Sequence, residues 1–253
     1  MKVLAIATNT AKEILRDRVL YAILVLGLLV IFSSKLVAPL SLDEDLRIVR
    51  DLGLSAIAVF SLLIGVIVGT RLVYDEIQRR TIYTILSKPV RRWQFILGKY
   101  LGISFALLLV VVFLAAGFVV YSAVFGYPLT PGFGAALLLT LLELLLVAAI
   151  AITFSTFTTP IGSGVFTFAI FFLGHFTRDL IAFGEMSQSA LFRQLARVFY
   201  YVLPNLSYFN AKSEFVHNLP ITADWITFAV SYCLFYVLVL LSIAVIVFER
   251  RDL

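Results

Sequence analysis

The stretch from Tyr100 to Thr177 reads YLGISFALLLVVVFLAAGFVVYSAVFGYPLTPGFGAALLLTLLELLLVAAIAITFSTFTTPIGSGVFTFAIFFLGHFT and carries one charged side chain, Glu143. Lipid offers the backbone no hydrogen-bond partner, so only helix crosses it, and ~30 Å of hydrocarbon takes roughly 20 apolar residues at 1.5 Å each. The stretch therefore holds three spans and two turns. Pro and Gly place the turns at Gly126 to Gly132 and Thr158 to Gly164, where helix cannot continue.

Outward from this centre, the runs Val19 to Ser34, Leu52 to Thr70 and Trp225 to Phe248 are also free of charge. The reading is an all-α polytopic membrane protein, a single domain over 1–253 with six membrane helices at 19–40, 52–73, 100–125, 132–157, 160–182 and 225–248. The composition agrees, at 62% hydrophobic and 14% charged, where soluble domains hold about 25% charged residues. A water-soluble globular protein is excluded. The first run is too long for a signal-peptide core, and Ala38-Pro39-Leu40 is a poor cleavage site, so it reads as a retained helix. The lone cysteine, Cys233, permits no disulfide within the chain.

Basic residues set the orientation, because short basic loops stay in the cytoplasm. Lys2, Lys12, Arg16 and Arg18 precede the first span, seven more lie between Arg71 and Lys99, and Arg250 and Arg251 follow the last span. Both termini are thus expected in the cytoplasm, in a multi-pass protein of a prokaryotic plasma membrane. The net charge of +5 then reflects topology and affinity for anionic lipid, and needs no nucleic acid to explain it.

Three segments outside the spans have patterns of their own. Residues 1–18 read as an interfacial amphipathic helix, with Val3, Ile6, Ala7, Thr10 and Ile14 opposite Lys2, Asn9, Lys12, Glu13 and Arg16. In the external segment 183–224, Leu191, Leu195, Val198 and Val202 recur at helical spacing beside Arg193 and Arg197. That predicts a short helix on the outer leaflet, ended by Pro204 and Asn205. The cytoplasmic loop 74–99 sets Ile82, Ile85 and Leu86 among dense basic charge, with Pro89 dividing it. By pattern alone it is either positive-inside charge touching headgroups or a surface for docking a protein.

Other residues invite a chemical reading. Glu143 sits mid-span, where a carboxylate costs about 2.5–3.5 kcal/mol on insertion scales, so it must face protein or water. It reads as a possible pathway or gate residue, or as a partner in an interhelical hydrogen bond. Gly162-Ser163-Gly164 with His175 suggests an intramembrane serine protease, but twelve residues along one helix separate the two side chains by about 18 Å. His175 lies at a span end, where interfacial anchoring accounts for it, and no second His or Cys stands at metal-ligand spacing. Gly65-x-x-x-Gly69 permits close helix approach, either at a dimer seam or within one subunit. No catalytic residues, resident cofactor or metal site are predicted for this chain.

The loop resembles the first cytoplasmic loop of ABC-2 type transporter permeases, the transmembrane subunits of ABC exporters. An acidic residue, a Thr-x-x-x-(Leu/Ile)-Leu-Ser-x-Pro-Val-x-Arg stretch and a Leu-Gly-Lys approach to the third span recur there. Here these are Glu76, Thr81 to Arg92, and Leu97 to Lys99. Leu203 to Asn210 (LPNLSYFN) is similar to the branch named for copper-enzyme maturation. Two Met, one Cys and two His, however, supply no relay of soft ligands for Cu(I).

The resemblance implies a permease that pairs with a second copy, as homodimer or with a paralogue, and carries soluble ATP-binding subunits that hold ATP and Mg. Gly98-Lys99 does not make a phosphate loop, since Trp93 stands where the first Gly belongs and Tyr100 where Ser or Thr is required. The loop becomes the coupling element. Docking falls to Glu76, Arg79, Arg80, Thr81, Ile82, Ile85, Leu86, Lys88, Arg91 and Arg92, with the apolar members filling a groove on the ATPase. The competing class is a self-contained secondary transporter or channel, which calls for midplane charges or an inverted repeat. Only Glu143 answers to that description.

Overall fold

The computed structural model describes residues 2–37, 45–72, 74, 76, 91–177, 186 and 190–250. Among these the chain forms α1 (Lys2–Leu15), α2 (Arg18–Val37), α3 (Asp45–Leu72), α4 (Arg92–Phe125), α5 (Phe133–Ser155), α6 (Pro160–His175), α7 (Ala190–Val202), a 3-10 turn (Leu206–Phe209), α8 (Lys212–Val216) and α9 (Ala223–Glu249), with no strand. The expectation of an all-helical chain holds. Five of the described helices, α2, α3, α4, α5 and α9, are long and apolar enough to cross a membrane. The described part of α6 has 16 residues, or about 24 Å of helix.

The helix ends follow the local chemistry. Gly126 ends α4 at φ 75°, a left-handed conformation that glycine adopts freely, and its N–H reaches the Ser122 carbonyl. Thr159 caps α6 by accepting from the Gly162 N–H, and Pro160 occupies the first helical position, where a missing N–H costs nothing. Gly162, Ser163 and Gly164 therefore lie in the first turn of α6, beyond the bend itself. Ser163 donates to the Ala151 carbonyl across the helix pair at 3.0 Å.

The most enclosed of the long helices is α5, which packs against α3, α4, α6 and α9. Its stretch Ala148-Ala149-Ile150-Ala151-Ile152 is buried throughout, because small side chains let neighbours approach from every side. By contrast α9 buries a single stripe, Ala229, Cys233, Val237, Leu241, Ala244 and Phe248 at helical spacing, and turns Phe235 and Leu238 outward. Gly69 lies against Ala151 of α5 and Gly65 against Leu107 of α4. The Gly-x-x-x-Gly pair of α3 thus serves packing within one subunit.

At one end of the bundle the segment after α7 forms a roof. Lys212 pairs with Asp51 at 2.9 Å, Arg50 donates to the Pro128 carbonyl at 3.3 Å, and the Trp225 indole N–H donates to the Tyr208 carbonyl at 2.7 Å. Helix α7 occupies the region where the spacing of Leu191 and Val198 predicts it. Its stripe of Leu191, Val198 and Val202 is exposed, turned away from the rest of the chain. At the opposite end α1, the start of α4 and the end of α9 come together, which sets the site.

Candidate functional site

Helix α1 lies on α4 at Gly98 and Gly102, and the contact is close enough that neither position has room for a side chain. A Cβ on Gly98 would stand 2.7 Å from the Ile6 Cβ, and one on Gly102 would stand 2.8 Å from the Ala7 carbonyl oxygen and 2.6 Å from the Thr10 Cβ. Between the two glycines the Lys99 side chain is carried inward, 2% exposed. A buried ammonium needs a counter-charge. Glu76, past the end of α3, supplies it at 2.5 Å, and Glu13 of α1 stands at 4.0 Å.

These three groups differ in weight. Glu13 is 67% exposed and contributes little through water, whereas the Glu76 side chain is 17% exposed and its bond to Lys99 is shielded. Burial pushes the Glu76 carboxyl above the ordinary carboxylate range, the Lys99 ammonium pulls it back, and Glu13 adds a smaller upward push. The pair closes a ring in the chain, because Glu76 and Lys99 flank the segment 77–98, whose last part, from Arg92, is already α4. Beside it lies a cavity of about 250 Å³ lined by Glu13, Asp17, Arg71 and Glu76.

A second attachment holds the foot of α4. Arg92 donates from Nη1 to the carbonyls of Phe248 and Glu249, both at 2.7 Å, satisfying acceptors that the end of α9 leaves free. The Phe95 and Phe248 rings stack beneath it at 5.7 Å. Arg91 is exposed, and its N–H donates to the Gln94 side chain at 3.2 Å to open α4.

Of the docking residues named from the sequence, the structure therefore places Glu76, Arg91 and Arg92 at this foot. Glu76 turns inward to Lys99 and Arg92 reaches α9, so Arg91 is the exposed member of the three. Arg79, Arg80, Thr81, Ile82, Ile85, Leu86 and Lys88 lie outside the described residues. Lys99 and Glu13 were not among the predicted site residues. The spacing Gly98-x-x-x-Gly102 around a basic residue is the sequence signal that marks them.

Glu143 has a partner that spacing did not suggest. It is buried in α5, and its Oε1 lies 3.2 Å from Nε2 of His175 on α6, whose Nδ1 is 3.1 Å from the Phe171 carbonyl. His175 is thus engaged inside the bundle, where interfacial anchoring was expected. Ser163 and His175 sit on the same helix with separate partners, so they form no nucleophile and base pair.

Residues 4–253 match the model of the family described as ABC-2 family transporter protein. No curated protein matches the chain.

Proposed function

Because this chain belongs to the ABC-2 family of transporter proteins, a multi-pass integral membrane protein of the prokaryotic plasma membrane, we propose that it is the permease subunit of an ATP-driven exporter. ATP and Mg are held by a separate soluble subunit, and a second permease copy completes the unit. The observation that carries this reading is the gathering of α1, the end of α3, the start of α4 and the end of α9 around the foot of one basic loop. A loop that only touched headgroups would need no such anchoring. An ATPase closing beneath it would, since force on the loop has to move spans instead of unravelling their ends. Rigid-body tilting of α3 and α4 then alternates access to a path between two permeases.

The test is purification of the tagged chain from its native membrane in mild detergent, with mass spectrometry of what accompanies it. A stoichiometric soluble ATPase is expected with the wild type and is lost in Arg91→Glu combined with Lys88→Glu. Arg92 is left in place, because its bonds to α9 would confound the result. Wild-type chain emerging alone and intact would favour the self-contained carrier.

Within the same reading, Glu143 is the gate residue of the pathway. The pair with His175 supports this, since it joins the enclosed α5 to α6 by polar groups that could part and rejoin. Glu143→Gln keeps the shape and the polar contact with His175, so thermal stability should stay within about 1 kcal/mol, the typical net worth of one hydrogen bond. Transport is expected to fall at least tenfold. Full transport by the variant would reduce Glu143 to a packing role.

A further inference from the structure

An apolar groove of about 640 Å³ runs between α1 and the neighbouring spans, walled by Ala7, Ala11 and Leu15 of α1, Ser104 and Phe105 of α4, and Leu145 of α5. Its concavity comes from small residues, Ala7, Ala11 and Ser104, framed by large ones. Its single charged wall residue is Lys12, which is exposed and pairs with no carboxylate among the described residues. From Leu101, near the start of the uncharged run, the α4 wall continues to Leu108, about 10 Å along the helix axis. The groove thus sets one exposed cation beside walls that are otherwise almost wholly apolar.

We propose that this groove binds one anionic phospholipid of the inner leaflet, with the headgroup phosphate on the Lys12 ammonium and an acyl chain laid along Leu101, Phe105 and Leu108. Charge complementarity selects the headgroup. A phosphatidylglycerol offers Lys12 net negative charge, while a phosphatidylcholine brings its own cation to the same place. The lipid joins α1 to α4 and α5, so it acts as a third binding element beside the glycine contact and the Lys99 pair. The proposal stands independently of the ATPase partner.

Native mass spectrometry of the full chain in mild detergent, with equimolar phosphatidylglycerol and phosphatidylcholine of identical chains, tests it. The wild type should retain one lipid per chain and favour phosphatidylglycerol by about fivefold, the effect of one lysine near a charged surface. Lys12→Ala should bring the two to parity at unchanged thermal stability, whereas Arg16→Ala, just past the end of α1 and outside the groove, should leave the preference intact. Ser104→Phe should fill the groove and release both lipids. Equal retention of the two lipids by wild type, or an unchanged preference in Lys12→Ala, overturns the proposal. An equal loss in Arg16→Ala would mean a diffuse basic surface, and cross-linking to a second copy through Thr8→Cys, at an exposed residue of the groove wall, would put a subunit in the groove. Either result also overturns it.

Discussion

Lys99→Met is expected to destabilise the chain by about 3–5 kcal/mol, the cost of leaving a buried partner uncompensated. Lys99 is almost fully enclosed, and Glu76 depends on it at 2.5 Å. The loss should be visible as an earlier thermal unfolding in detergent, together with loss of ATP-driven transport while the ATPase still co-purifies. Two controls separate the ion pair from simple packing. Adding Glu76→Leu should recover most of the stability, because exchanging a whole buried pair for apolar groups of similar size is near neutral.

Acidification should help the single variant for a reason with a definite sign. Burial already raises the Glu76 carboxyl, and the variant loses the charge and hydrogen bond of Lys99 that pull it back. The folded variant then holds its proton to higher pH than the unfolded chain. Its stability is greatest below the ordinary carboxylate range and falls as pH climbs from there through the raised value. The deficit relative to the double variant should therefore shrink on acidification. A Lys99→Met chain as stable as wild type across that window would remove the clasp from the argument.

Gly102→Val should detach α1. Its Cβ would meet the Ala7 carbonyl oxygen at 2.8 Å, a backbone atom that cannot swing aside as a side chain can. Overpacking of this kind costs about 1–3 kcal/mol, and α1 has few other contacts with which to resist it. Amide hydrogen exchange should rise across Lys2–Leu15, with α5 and α9 unchanged, and Gly102→Ala should show the same pattern more weakly. Unaltered protection of α1 in Gly102→Val would show that the helix is held elsewhere.

Much of this architecture can be read from composition and punctuation. Uncharged runs mark the long helices because hydrocarbon admits little else, and Gly126 and Pro160 mark bends because each imposes a backbone geometry. The alternation of Val3, Ile6 and Thr10 with Lys2, Asn9 and Glu13 shows that α1 has two faces. What periodicity does not carry is which face meets which. Glu13, Glu76 and Lys99 are scattered over 87 positions of sequence and meet only because α1 crosses α4 at two glycines. His175 and Glu143 are each explicable alone, and their pairing depends on the angle between α5 and α6. Arg92 reads as a surface charge until the end of α9 is seen beside it.

Helix α4 has 34 residues and no proline, and runs for about 51 Å, well beyond the ~30 Å of hydrocarbon. It rests on α1 at Gly102, which divides it into arms of about 15 Å toward Arg92 and about 35 Å toward Phe125. An unbroken helix seated on a saddle near one end is a lever with a fulcrum. A sideways push of an ångström on the short arm would swing the far tip, at the turn of Gly126, by about twice as much in the opposite direction. The leverage is set by where a pair of glycines lies along the rod, so moving that saddle by a helical turn would change the stroke delivered to the far side without altering any residue of the path.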